Sequence, residues 1–275
     1  MVLFTFIRGV FKEALAKKIL LTIIGFFSLL IILLVVGITN SYVEGMQAML
    51  EAGGENTLSQ AVNSLLSGMT SKIPMFMLIT LMIILTSSFI PDMLKKGHID
   101  LLLSKPISRT KIIIGHFLAG IIIVLLSFLL LLGIIWLIIS LKTGYWNFEF
   151  LKVILVFTLI YAVLYSSVIF FGLLTRSTIL SIIINLFMFF PLTFGLYSAN
   201  LYFESSTGPT FFSPVWQGVT KFLYHILPKA WDLHDFCDKI ILNESITSYL
   251  PLTTSLLFMF VLLSFSIWYF NKKDY

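Results

Sequence analysis

The sequence predicts an all-α polytopic membrane protein with six transmembrane helices, on three observations. The 275-residue chain is 59% hydrophobic and 11% charged, with a mean hydropathy of +1.02, whereas a water-soluble domain carries about a quarter charged residues. Six stretches, about 19–39, 73–90, 112–141, 153–174, 178–199 and 250–270, hold no Lys, Arg, Asp or Glu. Each meets or approaches the roughly 20 apolar residues that cross a hydrocarbon core. Runs such as IIIVLLSFLLLLGIIWLII do not alternate as barrel strands do, and backbone in lipid must then bond to itself as helix.

Along the chain, residues 3–18 come first. Phe4, Ile7, Phe11, Ala14 and Leu15 recur at helical spacing, with Thr5, Arg8, Lys12 and Glu13 on the other side. This predicts an amphipathic helix in the headgroup layer, its bases near anionic lipid. The first span is too long for a signal h-region and has no small-x-small cleavage site, so it is expected to stay. Gly53 and Gly54 split the polar loop 40–72 into two short, weakly helical pieces. Pro91 is expected to end the second span.

The loop 91–111 follows, PDMLKKGHIDLLLSKPISRTK. Asp92 to Leu103 can form a short surface helix containing Gly97, with Met93, Leu94, Ile99, Leu102 and Leu103 apolar. Ser104-Lys105-Pro106 breaks it, and Ser108 can cap the third span. By spacing alone this loop reads equally as a basic connector at the headgroups and as a rigid knob offered to the cytosol.

The fourth and fifth spans lie close together. Small residues at four-residue spacing, Gly115/Ala119 and Ala162/Ser166, suggest helix contacts. In the fifth span Asn185 suits an interhelical hydrogen bond, and Pro191 should kink or end the helix. The loop 200–249 is the largest polar piece, sized for an external cap, and the last span closes a single transmembrane domain, 1–275.

Orientation follows from charge. With both termini in the cytoplasm, the inner segments hold twelve Lys and Arg and the longer outer segments six. The positive-inside rule therefore puts both ends inside the cell membrane. The net charge of +5 is thus spread over short loops at one membrane face, which argues against nucleic-acid binding.

Chemistry-bearing motifs are few. The sequence has no G-x-x-x-x-G-K-[ST] and no H-E-x-x-H, so this chain is not expected to hydrolyse ATP or to be a zinc-helix protease. One cysteine, Cys237, precludes an intrachain disulfide. In AWDLHDFCD, Asp232, His234, Asp235, Cys237 and Asp238 offer imidazole, thiolate and carboxylate ligands, with His234 and Cys237 the candidates for a metal; a polar amphipathic turn accounts for them, and no tight copper or zinc site is expected. No catalytic residue and no bound cofactor are expected.

The loop 91–111 resembles that between the second and third spans of ABC-2-type transporter permeases, through Gly97, Leu101, Leu102, Leu103, Ser104, Pro106, Ile107, Ser108, Arg109 and Gly115. The layout is similar too: an amphipathic N-terminal helix, six spans and a large outer segment before the last. The subgroup that includes the permease of nitrous-oxide-reductase maturation is the most similar. His98 stands where a small hydroxyl residue is common, and His116 where lysine is. The resemblance implies a coupling helix docking in a separate ATP-binding-cassette ATPase that holds MgATP. Asp92, Gly97, His98, Leu101, Leu102, Leu103, Ser104, Pro106, Ser108 and Arg109 would form that contact, with Arg109 and Lys111 at the headgroups. Two permeases, alike or different, would pair with two ATPases. The complex would export or flip a substrate, or else use ATP to act mechanically on an extracytoplasmic protein at 200–249. An intramembrane enzyme is the remote third reading, since the spans offer only His116, Asn185 and scattered hydroxyls.

Overall fold

The computed structural model describes Gly9, Lys12, residues 18–37 and 55–97, Ile99, Ser104, and residues 107–205, 214–246 and 248–273. The expected interfacial helix at 3–18 falls almost wholly outside the described residues, as do Gly53, Gly54, His98, Leu101, Leu102, Leu103 and Pro106.

Among the described residues the secondary structure is helical. In chain order these helices are α1 (Ile19–Gly37), α2 (Glu55–Met69), α3 (Lys72–Thr86), α4 (Phe89–Met93), α5 (Arg109–Thr143) and α6 (Phe150–Thr175). Then come α7 (Thr178–Phe187), α8 (Thr193–Ser205), α9 (Pro214–Ile226), α10 (Ala230–Ile241) and α11 (Leu250–Lys272). A π turn, Met188–Leu192, joins α7 to α8.

Five segments are long and apolar enough to cross a membrane: Lys72–Met93, Arg109–Thr143, Phe150–Thr175, Thr178–Phe203 and Leu250–Lys272. They correspond to the second through sixth expected spans. The first stretch forms α1, a helix of 19 residues without a charged side chain.

One expectation about helix ends is corrected and another refined. Pro91 does not end the second span. The helix breaks earlier, at Ser87 and Ser88, and resumes as α4 with Pro91 in its first turn, where a missing N–H costs nothing. Pro191, expected to kink or end the fifth span, distorts it without ending it. It has no N–H to donate, and the backbone widens into the π turn and runs on to Ser205. The Phe189 carbonyl there accepts from Thr193 Oγ1 at 2.5 Å and from Trp231 Nε1 at 3.2 Å.

The turns have readable causes. Gly144 (φ +75°) closes α5 in the left-handed conformation, its N–H donating to the Ser140 carbonyl at 2.9 Å. Arg176 (φ +54°) does the same for α6, and Ser177 then caps α7 through Leu180 N.

α6 is the hub. In its most apolar stretch 83% of residues are buried, against 22% in α11, and α3, α4, α5, α7, α10 and α11 all pack on it. Tyr161 and Tyr165 are fully buried and stacked, with ring centroids 5.2 Å apart. Tyr161 donates to Thr86 Oγ1 at 2.9 Å, tying α6 to α3. With its amide oriented to satisfy both ends, Asn185 Nδ2 donates to Ser167 Oγ at 2.9 Å, which is the interhelical bond expected of Asn185.

The expected small residues Gly115, Ala119, Ala162 and Ser166 are all buried. The tightest approach lies elsewhere, at Gly120. A Cβ on Gly120 would sit 2.6 Å from Tyr165 Cε1. Because Tyr165 is held in its stack, Gly120→Val should lower stability by about 1–3 kcal/mol through overpacking. Gly133→Ala, on the same helix with nothing within 4 Å of its Cβ, should leave stability unchanged. Thermal unfolding of both variants in detergent checks the pair; equal unfolding temperatures would remove the close contact.

Candidate functional site

The two ends of the bundle carry its polar chemistry. In the described spans every Lys, Arg, Asp and Glu lies within three residues of a helical end. The 35-residue α5 separates those ends by about 50 Å.

At one end lies the loop 91–111. Phe89, Ile90 and Met93 of α4 are buried, and so are Leu94 and Ile99. Gly97 (φ +84°) is in the left-handed region that glycine adopts without a Cβ penalty. The helix ends at Met93 and residues 94–97 turn, so the single helix expected from Asp92 to Leu103 is interrupted before and at Gly97. The physical consequence is a division of faces. Met93, Leu94 and Ile99 turn into the bundle, while Lys95, Lys96, Gly97 and Ser104 are exposed. Asp92 pairs with Lys95 at 2.7 Å, a surface contact that contributes little to stability.

The loop exit is built as the sequence suggests at Ser108, whose Oγ accepts from Lys111 N at 3.4 Å and caps α5. Arg109 does something the sequence did not signal. Its Nη1 donates to the carbonyls of Phe270 at 3.2 Å, Asn271 at 3.4 Å and Lys273 at 2.6 Å. The last carbonyls of α11 have no helical partner and form the negative end of its dipole. A guanidinium answers both needs with several donors in one plane. Asn271 Nδ2 adds a contact to Thr110 Oγ1 at 3.4 Å. The start of α5 is thus stapled to the end of α11. His116 lies buried within α5.

At the opposite end α10 lies across the bundle as a cap. His234 Nε2 is 2.8 Å from the Thr70 carbonyl oxygen. Ser67 donates to Asp238 Oδ1 at 2.7 Å. Lys72 pairs with Asp235 Oδ1 at 3.0 Å, and Tyr197 donates to Asp235 Oδ2 at 2.6 Å. Asn147 Nδ2 bridges Asn63 Oδ1 at 2.7 Å and the Ile241 carbonyl at 3.1 Å. Trp231 Nε1 reaches Thr193 Oγ1 at 3.0 Å, and Lys229 N donates to Ser255 Oγ at 3.1 Å.

Charges on α10 respond to this setting. Burial alone would raise the Asp235 carboxyl, but His234, Tyr197 and Lys72 beside it hold it below the usual carboxylate range. Burial pushes Asp232 up, against the hydrogen bond from Tyr224. Burial, and then Asp238 and Asp235, push the Cys237 thiol well up, so Cys237 is an inert core thiol. A polar cleft of about 460 Å³ opens beside the cap, lined by Tyr197, Tyr224, His225, Lys229, Asp232 and Asp235 among others.

Comparison with known proteins places this chain in a family. A family model described as ABC-2 family transporter protein matches residues 11–275. The chain belongs to that family, a membrane transport component that usually works with a separate ATP-binding-cassette ATPase. No curated protein matches the chain.

The carbonyl staple has a measurable consequence. Arg109→Ala should loosen the last turn of α11 by about 1 kcal/mol, roughly fivefold in local opening. Amide hydrogen exchange across Tyr269–Lys273 reads it, and Arg109→Lys should keep part of the protection. Unchanged exchange in Arg109→Ala would show that the contact holds nothing.

Proposed function

We propose that this ABC-2 family chain is the permease subunit of an ATP-binding-cassette transporter. It has six spans with both termini in the cytoplasm, and it exports or flips a substrate using MgATP held by a partner ATPase. The observation that carries the reading is the family match over residues 11–275. The loop between the second and third spans supports it, because its exposed residues, Lys95, Lys96, Gly97 and Ser104, flank Leu101, Leu102 and Leu103 in sequence.

In this reading two permeases pair with two ATPases, and Leu101 to Leu103 seat each loop in its ATPase. ATP-driven closure of the ATPase pair pushes the loops together. The buried face of the loop, Met93, Leu94 and Ile99, passes that push to α6, and the Arg109 staple passes it to α11. Rigid-body rocking of the bundles then alternates the accessible side.

A second reading keeps the drive but moves an extracytoplasmic protein instead of a solute. The observation that favours it is α9, where Val215, Trp216 and Phe222 are exposed. An intramembrane enzyme would need paired polar groups at mid-depth, whereas Asn185 is engaged with Ser167. Stimulation of the ATPase by a candidate solute, against stimulation by a candidate external protein, separates the first two readings.

The coupling site is tested by one substitution. Burying a leucine contributes roughly 1.5–3 kcal/mol, and about 1.4 kcal/mol is tenfold in affinity. Leu102→Asp should therefore weaken ATPase binding well over tenfold, with the permease still inserted in the membrane. Copurification of the two subunits measures it. If Leu102→Asp retains the ATPase and couples normally, the loop is a connector and the coupling role fails.

A further inference from the structure

His234 is 2% exposed, and its Nε2 faces the Thr70 carbonyl oxygen at 2.8 Å. A carbonyl only accepts, so Nε2 carries a proton. Nδ1 is also buried and has no hydrogen-bond partner. It is directed toward two carboxylates, Asp238 Oδ2 at 3.4 Å and Asp235 Oδ1 at 3.8 Å. With Nε2 given to Thr70, an Nδ1 that faces two carboxylates calls for a positive charge there, either a second proton or a bound cation. We propose that His234 Nδ1, Asp235 and Asp238 form a binding site for a divalent first-row transition metal ion at the cap end of the bundle.

Three features support a metal. The ligand atoms of these residues all lie within 4.8 Å of one another, a spread that modest side-chain rotation brings to metal bond lengths of about 2.0–2.2 Å. Each ligand has its other polar atom pinned: Thr70 O holds His234 Nε2, Ser67 holds Asp238 Oδ1, and Tyr197 holds Asp235 Oδ2. Such outer contacts fix tautomer and orientation in metal sites. The inward-facing atoms are then one nitrogen and two carboxylate oxygens, a set that suits Zn²⁺ or Mn²⁺ and not Cu(I). By sequence alone Asp232, His234, Asp235, Cys237 and Asp238 are all candidate ligands, and no tight site is expected. Cys237 and Asp232 are not in the group, and the convergence of His234, Asp235 and Asp238 is what the structure adds. Lys72 is the competing cation, 3.0 Å from Asp235 Oδ1. It would have to yield that oxygen and keep its contact to the Tyr197 hydroxyl at 2.8 Å. A bound ion would lock α10 to the α2–α3 corner through Thr70 and Ser67.

The test uses the full chain, purified in detergent without a polyhistidine tag and stripped with EDTA. It is titrated with Zn²⁺ and with Mn²⁺, and read by metal content after dialysis and by thermal unfolding. One ion per chain should be retained, with a raised unfolding temperature. His234→Gln and Asp238→Asn should each weaken binding at least about tenfold, and Lys72→Met should strengthen it. In EDTA both ligand variants should unfold close to the wild type. A wild type that retains neither metal and shows no shift overturns the proposal and leaves a proton on Nδ1 as the cation. Equal retention by both ligand variants overturns it as well.

Discussion

Lipid offers no hydrogen bonds, so each polar group inside this bundle needs a partner within the protein. The rest of the architecture depends on that constraint. Most buried hydroxyls meet it locally, as Thr86, Ser127 and Thr158 do by bonding the carbonyl four residues back. Some hydroxyls and amides also serve as links between helices. Tyr161 joins α6 to α3 through Thr86, and Ser167 joins α6 to α7 through Asn185. Both links radiate from α6, the most enclosed of the membrane-crossing helices.

The same constraint governs the interrupted fifth span. Proline removes a donor, and a π turn leaves carbonyls out of register. The Phe189 carbonyl is recovered by Thr193 and by Trp231 of α10. A defect in a membrane helix thus becomes an attachment point for the cap. The cap is held in addition by charged and amide contacts to α2, α3, α8 and α11, so its position follows that of several helices at once. At the other end Arg109 ties α5 to α11 by the same logic, a donor-rich side chain meeting carbonyls that the helix itself cannot satisfy. Each end of the bundle is thus braced across more than one helix.

What was legible in the sequence is particular. The helical spans could be read because about twenty apolar residues in a row have few other structures open to them. Ser108 and Asn185 could be read because capping and interhelical bonding need only local or generic partners. Gly97 was visible as a glycine but not as the break, since helical propensity tolerates one glycine and only the burial of Ile99 beyond it demands the turn. Gly120 gave no signal, because its value depends on a tyrosine 45 residues away on another helix.

The amino-acid sequence by itself determined that this chain is a helical membrane protein, where its spans lie, and the family its second loop resembles. These follow from composition and from short-range pattern, which act before any helix meets another. Only the tertiary structure decided which helix is the hub, that Arg109 serves the carbonyls of α11, and that His234 faces Asp235 and Asp238 rather than acting with Cys237. Those outcomes rest on contacts between residues as many as 164 apart, and in an apolar chain such contacts are fixed by which polar groups find one another when the helices pack.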